Sequence, residues 1–177
     1  MSLTALIVWA VLALVLVLLV SAAMRPDQFR IERSARLPAS PAQVLALLQD
    51  FHQWQRWSPW EQIDPSMQRS YSGASSGPGA VYAWSGNGKA GSGRMEIRAV
   101  DSARVLIQID FLKPFEAHNT VEFSLQDQGT ETQLNWAMYG PSPFVSKLMG
   151  LVFNLDRMVG RDFERGLDNL KRLLQTA

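Results

Sequence analysis

The chain has 177 residues, a formal net charge of +1, no cysteine and two histidines. The absence of cysteine excludes disulfides, thiolate metal sites and a cysteine nucleophile. Two imidazoles are too few for a multi-histidine metal centre, and a near-neutral charge gives no strong electrostatic basis for binding nucleic acid.

The first charged side chain is Arg25, and the run from Leu3 to Ala23 is apolar or small. As a helix it is long enough to cross a hydrocarbon core of about 30 Å. Residues 1–24 therefore read as a transmembrane anchor and residues 25–177 as one globular domain. The alternative is a signal peptide, for which Ser21-Ala22-Ala23 offers a cleavage signature. Against it, Met1 to Thr4 carry no basic side chain, and the apolar run from Ala5 to Val20 exceeds the usual signal core of about 7–15 residues. Arg25, Arg30, Arg33 and Arg36 follow the span. Positive charge on that flank places the domain on the cytoplasmic side of a single-pass cell-membrane protein.

Phe29 to Leu37 reads as a first strand. Ser40 is a good N-cap and Pro41 a good first helical residue, predicting a helix that runs to about Asp50. Phe51 to Trp60 is an aromatic turn or short second helix, because Pro59 and Pro65 oppose a long one. From Met67 the hydrophobic period becomes two, and six strands are expected: 68–73, 80–85, 93–100, 104–112, 117–126 and 131–139. The gaps are short, so the sheet is an antiparallel meander. After Gly140-Pro141-Ser142-Pro143, an apolar stripe from Phe144 to Leu174 steps at three and four residues. It predicts a long final helix, with a break or kink near Gly150 or Gly160.

The expected class is α+β: about seven antiparallel strands in a curved sheet, wrapped on the long C-terminal helix and preceded by one transmembrane helix. A curved sheet closed by a helix leaves an apolar space between them, a natural ligand site.

Particular residues point to a family. They are Trp57-Ser58-Pro59-Trp60 with Asp64-Pro65, Gly77-Pro78-Gly79-Ala80-Val81-Tyr82-Ala83-Trp84, Gly91-Ser92-Gly93-Arg94-Met95-Glu96-Ile97, Pro114-Phe115-Glu116-Ala117, and Asp162-Phe163-Glu164-Arg165-Gly166-Leu167 with Asn169-Leu170-Lys171. From Phe29 onward the chain resembles the START-like, polyketide cyclase/dehydrase and lipid-transport superfamily (Bet v 1-like, SRPBCC), as a membrane-anchored bacterial-type member. The resemblance implies a helix-grip fold and a hydrophobic cavity. It supplies no catalytic residues, since no acid/base pair of a characterised cyclase is matched, and fold alone does not assign activity.

Several local patterns have plain structural readings. Gly86-Asn87-Gly88-Lys89-Ala90-Gly91 matches a dinucleotide fingerprint in letters, but a strand follows it rather than a helix, so it reads as a hairpin turn. Ser58, Ser142 and Ser146 lack a nucleophile-elbow setting. His52 reads as a turn residue. Asp110 and Glu116 are weak candidates for paired carboxylates, because Asp110 has the parity of Gln108 and not that of the apolar residues beside it. The charges between Asp156 and Arg172 read as a solvated helix face with ordinary ion pairs.

The aromatics are the better site candidates, although core packing is their default role. Tyr82, Trp84, Phe111, Phe115, Asn119, Trp136, Met138 and Phe163 are the expected cavity-lining, ligand-binding residues. His118 is the candidate polar cavity group, and Trp57 and Trp60 are placed at the cavity mouth or near lipid. No metal or organic cofactor is implied. The leading expectation is a membrane-tethered domain that binds a hydrophobic or amphipathic small molecule, such as a lipid. The alternatives are a cyclase-like enzyme using His118, Tyr82 or Asn119, and an interaction module with a collapsed cavity.

Overall fold

The computed structural model describes residues 2–176. Ser2 caps the first helix, α1 (Leu3–Ala23), by accepting from the Ala5 amide. The helix is long and apolar enough to cross a membrane, a property that signal sequences share. The chain then enters β1 (Gln28–Leu37) and α2 (Pro41–Leu48). At α2 the Ser40 and Gln43 side chains form a reciprocal capping box.

Two 3₁₀ turns follow, Phe51–Arg56 and Pro59–Gln62. Proline at the second of these and at 65 keeps the segment from becoming one long helix. Six strands come next: β2 (Gln68–Gly73), β3 (Ala80–Ser85), β4 (Ser92–Asp101), β5 (Arg104–Lys113), β6 (Ala117–Asp127) and β7 (Thr132–Pro141). The order across the sheet is β1-β7-β6-β5-β4-β3-β2, and every neighbouring pair is antiparallel. Register shifts in the β4–β5 pair near Ser92 and Ile97 are the local irregularities that bend such a sheet.

The tail forms two helices, α3 (Phe144–Met149) and α4 (Leu155–Gln175). The expected break thus falls at Gly150. Asn154 starts α4 by accepting from the Arg157 amide at 2.9 Å, while Gly160 stays inside the helix. Gly160 instead makes room for Arg33: a Cβ there would lie 2.1 Å from Arg33 Nη2. The guanidinium reaches across from β1 to Asp156 at 3.0 Å and Glu164 at 2.8 Å. Asp156 and Glu164 are therefore not part of a merely solvated face, since they fasten α4 to the sheet edge.

Alternation sets the core. Ile97, Val105, Ile107, Phe123, Leu134 and Trp136 point inward from the sheet, and Phe163, Leu167 and Leu170 meet them from α4. This is the α+β helix-grip arrangement: an open seven-stranded sheet curved around the C-terminal helix.

Candidate functional site

Between the sheet and the N-terminal half of α4 lies a cavity of about 230 Å³. Tyr82 and Trp84 line it from β3, Met95 from β4, Ile109 and Phe111 from β5, Val121 from β6, and Trp136 and Met138 from β7. Val159 and Phe163 close it from α4, and Trp54, Trp60, Ile63 and Met67 from the segment before β2. Ile63 and Lys89, both exposed, mark its mouth.

Strand period two explains why these side chains converge, because alternate residues of every strand share the concave face. Two glycines shape the wall. At Gly93, opposite Trp84 in the ladder, a Cβ would fall 2.5 Å from Trp84 Cη2. Its absence lets that indole lie across the start of β4, and Nε1 donates to the Ala90 carbonyl of the β3–β4 connection at 3.1 Å. At Gly166 a Cβ would fall 2.6 Å from Trp136 Cζ3. Trp136 in turn stacks on Phe163, with centroids 4.3 Å apart and planes at 9°, and meets Trp60 edge-on at 5.6 Å. Such aromatic pairs contribute about 0.5–1.5 kcal/mol each beyond their buried area.

The wall also holds a polar group. The Glu61 carboxylate accepts from Tyr82 Oη at 2.7 Å and from Arg69 Nε at 2.6 Å. Arg69 Nη2 donates to the Glu61 carbonyl at 2.8 Å and Nη1 to the Met67 carbonyl at 2.8 Å. Burial, then the hydrogen bond to Glu61, pushes the Tyr82 phenol well above its ordinary range, so it remains a neutral donor. Glu61 raises Arg69 further. One turn earlier, Ser58 is buried and lines the same cavity. Its hydroxyl has no hydrogen-bond partner among the described residues. Ser58 is the extended N-cap residue of the Pro59–Gln62 turn and makes no side-chain cap hydrogen bond there, and both it and Glu61 line the cavity.

Two indole nitrogens, Trp57 Nε1 and Trp136 Nε1, are buried without a hydrogen-bond partner. Trp136 lines the cavity, whereas Trp57 is packed in the core and does not.

Of the residues expected from sequence, Tyr82, Trp84, Phe111, Trp136, Met138 and Phe163 come together at this wall. Three do not. Phe115 sits in the β5–β6 turn and is 69% exposed. Asn119 has inward parity and is buried, but it lies at the end of β6 against Gly140, where a Cβ would meet its Oδ1 at 2.2 Å. His118 is on the opposite face: its Nδ1 is 2.8 Å from Asp110 Oδ1 and its Nε2 3.5 Å from Glu116 Oε1. Strand alternation places it there, one residue out of phase with Asn119 and Val121. It is not a polar group of the cavity.

Besides Lys89 at the mouth, the polar residues Ser58 and Glu61 reach the cavity, from an irregular segment where no periodicity announces a side chain's direction. The Trp-Ser-Pro-Trp sequence marks the place but not the role. The 86–91 glycine segment is the β3–β4 connection, as its lack of a following helix implies. Asp64 clamps it by accepting from the Asn87 amide at 2.7 Å.

A family model described as "Polyketide cyclase / dehydrase and lipid transport" matches residues 28–175. Among solved structures, a solution structure from Thermobifida fusca is 22% identical, with a TM-score of 0.60 over 80% of this chain and 90% of that one. Protein Ms6760 from Mycobacterium smegmatis is 18% identical, with a TM-score of 0.58 over 83% and 91%. Ara h 8.0201 is 12% identical, with a TM-score of 0.56 over 85% and 99%. At these identities the likeness is one of fold. No curated protein matches the chain.

Proposed function

Because the chain belongs to the polyketide cyclase/dehydrase and lipid transport family, we propose that it is a membrane-tethered binding domain for a small apolar molecule with a hydroxyl or similar polar end. The observation that carries this is the cavity: about 230 Å³, walled by aromatic and aliphatic side chains, with Glu61 and Ser58 as its polar pole. A dry cavity of about 150 Å³ accommodates benzene. The space here therefore takes a ligand of one or two rings, or one segment of a longer chain. A whole diacyl lipid is too large.

The polar pole sets the chemistry. A carboxylate has roughly four acceptor sites, and two of those on Glu61 are used by Tyr82 and Arg69. The remaining sites accept a donor, and the Ser58 hydroxyl donates to or accepts from the same group. A ligand hydroxyl satisfies both. A ligand carboxylate directed at Glu61 is disfavoured by like-charge repulsion in a desolvated site, whereas Lys89 is the cation at the mouth.

Residues 1–24 are the anchor in this reading and residues 25–177 the binding domain, on the cytoplasmic side by its flanking arginines. The tether holds the cavity where membrane-dissolved ligands are concentrated.

The test is native mass spectrometry, with organic extraction, of the full chain purified from its host membranes. A defined co-purifying apolar mass bearing a hydroxyl is the expected result. A protein that stays empty, and whose melting temperature no apolar alcohol raises, refutes the binding role. A second reading, cyclase-like catalysis, has one observation in its favour: Glu61 and Tyr82 form a carboxylate–phenol pair at the cavity wall. Turnover of a polyketide-type chain that is abolished in Glu61→Gln would support it over simple binding.

A further inference from the structure

Next to the last turn of α1, the chain exposes a run of large apolar side chains that the cavity does not use. Phe144, Val145 and Met149 of α3, Val152 and Phe153 of the following turn, and Leu155 and Met158 of α4 are all exposed. Val152 is 79% exposed and Phe153 56%. From Ser142 to Leu155 the sequence has no acidic residue and a single lysine. That lysine, Lys147, is buried and paired with Asp27 at 2.5 Å. The surface left to solvent is therefore almost wholly apolar, which a soluble face of this size would not sustain.

Its position identifies its partner. α3 packs on α1, and Ala22 in the last turn of α1 is fully buried. Arg25, the first charged residue after α1, lies against Gly150, where a Cβ would be 2.7 Å from its Nη1. The patch is thus fixed at the height where α1 ends. If α1 spans a bilayer, that height is the interface between headgroups and acyl chains. Arg25, which forms no ion pair among the described residues, supplies positive charge at this level for anionic headgroups.

We infer that the α3–α4 junction, centred on Val152 and Phe153, is a membrane-docking surface that inserts into the same bilayer leaflet that α1 leaves. The inference rests on α1 being a membrane anchor. It adds that the domain lies down on the bilayer instead of hanging from a flexible tether. The surface runs into the site: Met158 belongs to it and the next residue, Val159, lines the cavity. Docking therefore sets the α4 wall of the cavity against the lipid phase.

The absence of native cysteine makes the test direct. Single variants Val152→Cys, Leu12→Cys and Gln128→Cys of the full chain are labelled with an environment-sensitive fluorophore. They are reconstituted in vesicles of phosphatidylcholine and phosphatidylglycerol in equal parts, containing nitroxide-labelled lipids. Gln128 is exposed in the β6–β7 turn, the length of β1 away, about 30 Å. Docking predicts quenching at Val152 several-fold above that at Gln128, strongest with the nitroxide near the headgroup, and deep quenching at Leu12. Quenching at Leu12 with Val152 no greater than Gln128 overturns docking and leaves the anchor standing. No quenching at Leu12 removes the anchor reading and docking with it.

Discussion

Tyr82 and Glu61, 21 residues apart, meet at the cavity wall through a 2.7 Å hydrogen bond from phenol to carboxylate. The bond joins β3 to the irregular segment that carries the polar pole. It fixes one carboxylate oxygen while Arg69 fixes the other. Glu61 is therefore held in one orientation before any ligand arrives, which lowers the cost of binding.

Removing either partner has distinct consequences. Tyr82→Phe keeps the ring in the core and deletes one hydrogen bond to a charged group, a loss of about 1.5–3 kcal/mol of stability. Glu61→Gln removes the carboxylate proposed to accept from a ligand hydroxyl, and affinity for an apolar alcohol is expected to fall by roughly ten-fold or more. Denaturant unfolding checks the first, and titration of the intrinsic tryptophan fluorescence checks the second. Equal affinity in Glu61→Gln would remove Glu61 from the polar pole.

The same contact makes stability fall in alkali. Tyr82 is raised above its ordinary value of 10.0 by burial and by Glu61. A group raised on folding contributes stability that is complete below its unfolded pKa and is lost as pH rises through the folded one. Unfolding free energy therefore declines above pH 10.0 more steeply in the wild-type chain than in Tyr82→Phe. Spectrophotometric titration should show a late-ionising phenol in the wild-type chain that is missing from Tyr82→Phe.

On the convex face, His118 is raised above its ordinary 6.5 by its hydrogen bond to Asp110, with further support from the charges of Asp110 and Glu116. Asp110, though partly desolvated, is held below 3.8 by that same bond and by Gln108. The pair contributes stability between these limits, lost below as Asp110 protonates and lost above as His118 deprotonates. Asp110→Asn should return the His118 titration, followed by NMR, toward 6.5. Ligand affinity should not change, because His118 is outside the cavity.

Gly166 gives a packing test in which two effects oppose. Alanine is favoured over glycine inside a helix by about 1 kcal/mol. Its Cβ, however, would press to 2.6 Å from Trp136 Cζ3 and 3.2 Å from Pro59 Cδ. Overpacking of this kind costs about 1–3 kcal/mol. Trp136 is held between Phe163, Trp60, Trp57 and Phe123, so it can yield only into the cavity it lines. The clash wins: Gly166→Ala lowers the melting temperature, and because Trp136 lines the cavity it also weakens ligand binding.

The legibility of this chain in its sequence follows the regularity of its elements. The strand at 80–85 is bounded by Gly79 and Gly86, and in the strand at 104–112 Val105, Ile107, Ile109 and Phe111 share one parity, so limits and inward faces are predictable there. Tyr82, Trp84, Phe111, Trp136 and Met138 could be placed on one concave face for that reason alone. His118 and Asn119 show the limit. Adjacent strand residues face opposite ways, and their order does not say which is inside until the register with Val121 is fixed. Ser58 and Glu61 were beyond reach, because a 3₁₀ segment interrupted by proline has no period from which to read direction. The cross-connection of Arg33 to Asp156 and Glu164 was hidden for another reason. Helix spacing reveals partners three or four residues apart, not partners on a distant strand.

The two orphan indoles provide a last prediction with an internal control. Trp57 Nε1 and Trp136 Nε1 are both buried with no acceptor, each a cost of about 1–3 kcal/mol relative to a paired group. Only Trp136 borders the cavity. A ligand that shifts the Trp136 indole can bring a hydroxyl or carbonyl oxygen to its donor, whereas Trp57 lies off the cavity. In ¹⁵N-labelled protein the Trp136 indole resonance should move downfield on addition of an apolar alcohol, while that of Trp57 stays in place. Trp136→Phe should then cost affinity beyond its small change in apolar volume, and Trp57→Phe should cost none. If both indole signals move equally, the ligand acts through a general rearrangement of the core, and Trp136 is not its contact.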